Sequence, residues 1–233
     1  MDQRVSVIIP NFNHSQYLEH AVKSIVNQSV RPDAVVIVDD CSTDNSWEMI
    51  QKFPSVWGGI NIAALRLEQN MGRSFTRNVG IKYSWDTSDV FAFLDADDFY
   101  EPDKIGKSID ILKEDPDTVG VVYSDFDAIN VDTEIRVREF RPPFDALGMR
   151  QTCQINNDSI VNKKALAVCG LYDETMEVAE DYDLWLRVTR QFLAVHIPEQ
   201  LLTVRITLQG ASQSVSPQIW QKNWRHIASK YVG

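Results

Sequence analysis

The segment Val90-Phe91-Ala92-Phe93-Leu94-Asp95-Ala96-Asp97-Asp98 constrains the fold more than any other stretch of this chain. An apolar run of strand length stops at three carboxylates, two of them spaced as Asp-x-Asp. A buried strand that ends in acids puts them at the carboxyl edge of a sheet, where open α/β proteins bind ligands. Carboxylate oxygens suit hard divalent cations such as Mg²⁺ or Mn²⁺, which commonly share their coordination with phosphates. The ordinary alternative is a solvated acidic turn, since Asp is common in loops. The rest of the chain decides between the two.

Strand and helix signals alternate through the first half. Val5 to Ile9 reads as a buried strand ended by Pro10, and Leu18, Ala21, Val22 and Ile25 then share one helical face. Asn13 and Gln16 resemble a capping box at that helix start. Ala34 to Val38 is a second strand, again ending in acids at Asp39-Asp40, and Ser42-Thr43-Asp44 caps a helix that stops near Pro54. Ile60 to Leu67 is a third strand, Ser74 to about Trp85 a helix, and Val90 to Leu94 the fourth strand. A helix opens near Pro102 with Ile105, Ile109 and Leu112 in period, and Val119 to Tyr123 is a fifth strand.

Such alternation implies an α/β fold, a mostly parallel sheet with helices on both faces. Right-handed crossovers bring the acidic ends of strands two and four to the same edge. From Ser124 to about Thr152 regular signals fade. A helix follows Asn162, another starts near Glu180, and Phe192 to Ile197 and Leu201 to Ile206 read as two short strands. Ile219, Trp220, Trp224, Ile227 and Tyr231 form a stripe on a final helix. With no repeats and no low-complexity linker, residues 1–233 read as a single domain.

A net charge of −10 argues against nucleic-acid binding, which wants a basic surface. It also repels anionic ligands at long range, so a phosphate site needs local cations or a metal. Cys41, Cys153 and Cys169 are odd in number and lack metal or redox spacing, which fits reduced thiols. No signal peptide is evident and no apolar run approaches the ~20 residues of a membrane span, so the expected location is cytoplasmic. The Asn-x-Ser sequons at Asn13, Asn27 and Asn157 then carry no meaning. Oligomeric state is left open.

Five segments occur in one order: Val5 to Asn13; Val38-Asp39-Asp40-Cys41-Ser42-Thr43-Asp44; Asn70 to Gly72 with Arg77-Asn78-Val79-Gly80; Phe93 to Asp98; and Glu180-Asp181-Tyr182-Asp183-Leu184-Trp185. Together they resemble family 2 of the inverting nucleotide-sugar glycosyltransferases, which have the GT-A fold. The resemblance spans roughly residues 5 to 206. It implies transfer of a sugar, with a UDP-sugar favoured, to a hydroxyl of a glycan or lipid-linked acceptor in cell-surface glycan assembly, with Mn²⁺ or Mg²⁺ as cofactor. About 1–124 would be the nucleotide-sugar half and about 125–233 the acceptor half.

The resemblance also assigns residues. Asp97 would be the direct metal ligand, with Asp95 beside it toward the ribose and diphosphate. Asp40 would accept from the nucleobase, Pro10 would shape that pocket, and Asn13, Arg73 and Arg205 would lie on the nucleotide-sugar side. Arg77 would contact the nucleotide or brace Asp95. Asp181 would be the base that takes the acceptor proton, kept ionised by its place at a helix N-terminus. Glu180 and Trp185 would stand on the acceptor side. One departure concerns a late strand in which family members often carry Tyr-Arg-x-His; here Val204-Arg205-Ile206-Thr207 has no imidazole. The basic face of the final helix leaves room for peripheral membrane contact.

Other classes fit less well. A phospho-acceptor receiver would carry its acidic pair on the first strand and be about half as long. A dinucleotide oxidoreductase would show GxGxxG after strand one, and a sugar nucleotidyltransferase would open with a Gly-rich loop rather than Asn11-Phe12-Asn13-His14. A glycosyltransferase-like nucleotide-binding module without catalysis is the alternative, motivated by the missing histidine.

Overall fold

A computed structural model describes residues 3–207 and 215–231. Its strands are β1 Val5–Asn11, β2 Ala34–Asp39, β3 Val56–Trp57, β4 Ile60–Arg66, β5 Val90–Phe93, β6 Phe99–Tyr100, β7 Val119–Asn130, β8 Arg136–Glu139, β9 Ile160–Asn162 and β10 Leu193–Ile206. The helices are α1 Ser15–Val26, α2 Ser46–Ile50, α3 Arg73–Tyr83, α4 Lys104–Glu114, α5 Ala146–Met149, α6 Lys163–Cys169, α7 Glu180–Val188 and α8 Pro217–Tyr231. All ten strands join one sheet in the order β3-β4-β2-β1-β5-β9-β7-β10-β6, with β8 on β7. β4, β2, β1 and β5 run parallel, as do β7 and β10; β9 lies antiparallel between β5 and β7.

Strand alternation divides the core into two layers. Val5, Val7 and Ile9 of β1 meet Leu18, Val22 and Ile25 of α1 and Ile105 and Leu112 of α4 on one face. Ile8 looks the other way, toward Ile81 of α3, Leu166 of α6, Leu184 and Trp185 of α7, and Ile227 and Tyr231 of α8. Gly80 lets α3 sit close on β1: a Cβ there would come 2.5 Å from Ile8 Cγ2. That approach sets the depth of Arg77, one turn earlier, and helps to explain why the helix carries a glycine despite its poor propensity.

Three expectations need correction, and one element, the β3–β4 hairpin, is additional. The Asn13–Gln16 capping box does not form: α1 begins at Ser15 without a side-chain cap from His14. Asn13 instead takes a left-handed φ of 60° and its Oδ1 accepts from Thr43 N and Asp44 N. The N–H of Ser15 donates to Asp44 Oδ2 while Ser46 N donates to Oδ1, so one carboxylate serves both helix starts. Secondly, β7 does not fade at Ser124 but runs to Asn130. Its buried polar residues are paired across elements: Ser124 with Lys104, Asp125 with His196, and Asp127 with Arg136.

Thirdly, the two late strands are one, β10, whose register on β7 shifts between Ile197 and Gln200. Pro198 and its missing N–H fall in that gap. Finally, β3 pairs with β4 through Gly58 and Gly59, both at positive φ (61° and 89°), a two-residue hairpin turn.

Candidate active site

β2 and β5 both run parallel to β1, so Asp39-Asp40 and Asp95-Asp97 leave the sheet on the same edge. A cleft of about 750 Å³ opens there, lined by Pro10, Asp40, Arg73, Arg77, Asp95, Asp97 and Arg205, among others. A smaller cavity of about 320 Å³ holds Asp181 and Glu180. Arg73, Arg77 and Asp95 line both.

Arg77 is the pivot of this seam. Only 1% of its side chain is exposed, yet Nη2 donates to Asp95 Oδ1 and Nη1 to Glu180 Oε1, each at 2.7 Å. Tyr172 lies under the guanidinium with its ring centroid 5.3 Å away. Arg77 is bonded to Asp95 and also lines the larger cleft, so both expected roles, contact and brace, stay open to it. Arg73 Nε comes 3.6 Å from the same Glu180 oxygen. The neighbouring Asn78 ties α3 to the 172–174 loop, donating to Tyr172 O and Glu174 Oε1 and accepting from Tyr172 N.

The acids differ in charge state. Burial opposes ionisation of Asp95, but Arg77 and then Arg73 overcome it, and the carboxyl sits below its ordinary value. Both Asp95 oxygens also receive Asn157 Nδ2 at 3.3 Å. Asp97 is pushed the other way by burial, with the Asp95 charge adding to it, although His14 pulls back down. Behind them, Asp98 and Asp158 are buried and rise well above the usual carboxylate range, both chiefly through burial, with the charges of Asp158 and Asp97 adding to the rise of Asp98 and that of Asp95 to the rise of Asp158. Each already accepts a backbone N–H, from Arg205 and Asp95 respectively. Oxygens of Asp95, Asp98 and Asp158 lie within 4.8 Å of one another. Lys104 is buried near this group, donates to Ser124 Oγ, and falls to about 8 because burial disfavours its charge, with Asp158 opposing.

On the nucleotide side, Pro10 and Asp40 stand on the cleft wall. Both Asp40 oxygens are engaged, Oδ1 by Met71 N at 2.7 Å and Oδ2 by Gly72 N at 2.9 Å, so this carboxylate holds the 70–72 loop against the cleft. A further donor would have to use its remaining lone pairs. Asn13 is not on the wall; it fastens the 43–44 turn. The Arg205 guanidinium packs between Tyr17 and Phe99, at 5.0 and 4.9 Å, and donates to Asp97 O. Thr207 lines the cleft where the imidazole is missing, but His14, from the β1–α1 loop, lines it too. Sequence spacing gave no sign of His14, because the acids it faces come from another element.

On the other side, Asp181 in the first turn of α7 lines the smaller cavity. The helix N-terminus does not keep its carboxyl low. Burial and the adjacent Glu180 raise it to about 6, against the pull of the Tyr182 backbone, Arg77 and Arg73. Glu180 is 3% exposed and committed to Arg77 and Arg73. Trp185, expected to face an acceptor, lines neither cavity: it is 0% exposed, deep in the α7 core layer. The tryptophans on the cavity wall are Trp220 and Trp224 of α8, which the C-terminal stripe contained without indicating which side of the helix faced a ligand space.

Comparison with known proteins gives the family and the fold. The sequence pattern of glycosyl transferase family 2 matches residues 6–166. TuaG of Bacillus subtilis (strain 168), named for teichuronic acid biosynthesis, is 34% identical over 110 residues, covering 47% of this chain and 42% of its own. Chondroitin synthase of Pasteurella multocida (strain Pm70) is 26% identical over 186 residues, 79% of this chain and 19% of that one. The chain thus spans less than half the length of either relative. The structure of S. aureus TarS 1–349 in complex with UDP-GlcNAc superimposes with a TM-score of 0.76 at 22% identity, covering 97% of this chain and 66% of that one. The fold is that of the GT-A glycosyltransferases. Among the described residues, no helix is long and apolar enough to cross a membrane.

Proposed function

Since this chain belongs to glycosyl transferase family 2, we propose that it transfers a sugar, with inversion, from a nucleoside-diphosphate donor to an acceptor hydroxyl in cell-surface glycan assembly. One observation carries the reading: Asp97 and Asp181 stand on two cavities that meet at Arg73, Arg77 and Asp95. The larger cleft suits the donor and the smaller one the acceptor. The UDP-GlcNAc held by TarS favours a UDP-sugar of hexosyl or N-acetylhexosaminyl type. On this reading residues up to about 124 serve mainly the donor, and the remainder mainly the acceptor, with Arg205 crossing back to the donor cleft.

The donor set fits a divalent cation. Asp97 and Asp95 both face the cleft from the end of one buried strand, and their carboxylates stand two residues apart on the same loop. Oxygen ligands of this kind suit Mg²⁺ or Mn²⁺. Asp97 and Asp95 would hold the ion, which when bound supplies positive charge for the departing diphosphate. Asp98 and Asp158, buried and already bonded to backbone N–H groups, hold the loop beneath.

The protein's own steps follow. Asp40 and Pro10 shape the nucleoside end, and Arg205 adds a fixed cation on the same wall. Asp181 accepts the proton of the acceptor hydroxyl as that oxygen attacks the anomeric carbon. Attack from the side opposite the diphosphate forms one glycosidic bond, breaks the sugar–phosphate bond and inverts the centre. A base with a carboxyl near 6 is about ten parts ionised to one protonated at pH 7, close to the operating pH that favours proton transfer. Three unpaired cysteines fit a reducing, cytoplasmic location for this step. The acceptor is a glycan or lipid-linked sugar, the latter reached by peripheral membrane contact.

Calorimetry with UDP tests the assignment. Asp97→Asn or EDTA should abolish most UDP binding, whereas Asp181→Asn should preserve it and lower turnover on the order of 10²-fold or more. UDP affinity indifferent to both metal and Asp97 would remove the metal role. Wild-type turnover in Asp181→Asn would leave this residue a helix-terminal acid and nothing else.

A further inference from the structure

Trp220 and Trp224 form a wall of the smaller cavity that the reaction outlined above does not use. They lie four residues apart, on one face of α8. That face is fixed by its other end: Ile227 and Tyr231 are buried, the Tyr231 hydroxyl donates to Asp183 Oδ1 at 2.8 Å, and Lys230 Nζ reaches Asp173 Oδ2 at 3.1 Å. The same stripe that seals the core at residues 227 and 231 therefore overhangs the cavity at 220 and 224. Trp224 stays 41% exposed, with Tyr182 edge-on at 5.3 Å between ring centroids. Asp181, Thr152 and Asn157 line the same cavity.

A cavity lined both by flat apolar rings and by a few hydrogen-bonding groups suits a ligand with two unlike faces. A pyranose ring has that character, with a C–H face and hydroxyls around its rim. The volume, about 320 Å³, sits at the low end of the roughly 300–1,000 Å³ of small-molecule sites, which suits one sugar ring rather than a long chain. Charge narrows the choice further. Asp95, Glu180 and Asp181 outnumber Arg73 and Arg77 by three to two, and Arg77 is already bound to two of those carboxylates. A phosphate in this space would meet net negative charge.

We propose that Trp220 and Trp224 are the platform on which the acceptor's terminal sugar lies, and that this acceptor unit is an uncharged pyranoside whose free hydroxyl faces Asp181. The proposal rests on the glycosyl-transfer reading of the two cavities. It makes α8 the specificity element of the acceptor side.

The test is ¹⁹F NMR of the full chain with its six tryptophans replaced by 5-fluorotryptophan. Trp220→Phe and Trp224→Phe assign the two resonances, and Mg²⁺ with UDP fills the donor cleft. The probes are the methyl glycosides of glucose, galactose, mannose and N-acetylglucosamine, with glycerol 3-phosphate as the anionic comparator. At least one neutral glycoside should shift both resonances saturably, and glycerol 3-phosphate should shift neither. Trp224→Ala should weaken that glycoside about fivefold to tenfold, with Trp224→Phe close to the parent and UDP affinity unchanged in both. UDP binding without any glycoside response would overturn the platform and leave the donor reading standing. A response to glycerol 3-phosphate alone would overturn the uncharged acceptor. Failure of UDP to bind the unaltered protein would overturn the reading beneath both.

Discussion

Arg77→Met probes the seam between the two cavities most directly. The guanidinium is 1% exposed and makes two 2.7 Å charge-assisted bonds, to Asp95 and Glu180. Methionine fills much of the same space but leaves both carboxylates without their main partner. Glu180, at 3% exposure, would keep Arg73 at 3.6 Å, and Asp95 would keep the Asn157 hydrogen bonds at 3.3 Å and the more distant charges of Arg73 and His14. Removing one member of a buried ion pair costs about 3–5 kcal/mol because the stranded charge stays desolvated. Stranded acids can escape by taking up protons, so the loss should be greatest at high pH and shrink as the solution is acidified.

Urea unfolding with an unchanged m-value gives the stability loss. Glu180→Gln in the same chain removes one stranded charge and should restore about 1–3 kcal/mol, whereas Glu180→Gln alone is destabilising. Arg77→Lys keeps the charge but cannot reach both acids in one fork, and should fall between parent and methionine. The cation also holds the Asp181 carboxyl down, so an Arg77→Met protein that remains folded should show its acid-side activity limb moved to higher pH. A loss below about 1 kcal/mol, or Glu180→Gln that deepens the damage, would mean that the buried fork is not what holds these elements together.

Two further outcomes follow from Asp181. Plotted against pH, log(kcat/KM) should fall with unit slope below about 6, the value to which burial and Glu180 raise this carboxyl; a limb near 4 would assign the base elsewhere. Because that folded value lies above the ordinary 3.8, the group's contribution to stability is present below about pH 4 and is lost as pH rises through about 6. Asp181→Asn should therefore raise stability on the order of 1–3 kcal/mol at pH 8 and leave it nearly unchanged at pH 4, as measured by denaturant titration at the two values.

The elements that end at the site were legible because apolar runs stop abruptly at acids: Ala34 to Val38 before Asp39, and Val90 to Leu94 before Asp95. The continuation of β7 was not, since Ser124, Asp125 and Asp127 look like loop residues until Lys104, His196 and Arg136 are placed opposite them. Trp57-Gly58-Gly59-Ile60 did carry a hairpin signal, the two glycines, that strand periodicity alone passes over. Within the site, sequence order identified the acids but not their neighbours. Asn157 and Asp158 come from one segment and His14 from another, and neither shares a spacing with the Asp-x-Asp stretch. Trp185 and Trp224 each lie on amphipathic helices, and only the packing of α7 and α8 determines which indole is core and which meets the cavity. Asp181 is still mostly ionised at neutral pH, but its carboxyl is raised rather than lowered: a helix terminus is worth about 0.3–1 kcal/mol, less than burial beside a second carboxylate.

The same guanidinium that fastens the seam also separates the charge states of the acids around it. Asp95 receives a direct 2.7 Å bond from Arg77 and stays ionised, as the proposed cation-holding role requires. Asp181 receives no such bond, because the Arg77 fork is taken up by Asp95 and Glu180; it feels Arg77 only at a distance and the Glu180 charge from the next residue. Two carboxylates on adjoining cavities are thereby driven to opposite sides of their ordinary value, which is the arrangement that lets one remain a fixed anion while the other exchanges a proton near neutral pH. Glu180 has no place in the bond-making itself. It couples the two: by occupying the second arm of Arg77 it keeps that cation from neutralising Asp181, and by its own charge it lifts Asp181 to about 6. Glu180→Gln should accordingly lower the acid limb of the activity profile, the opposite direction to Arg77→Met.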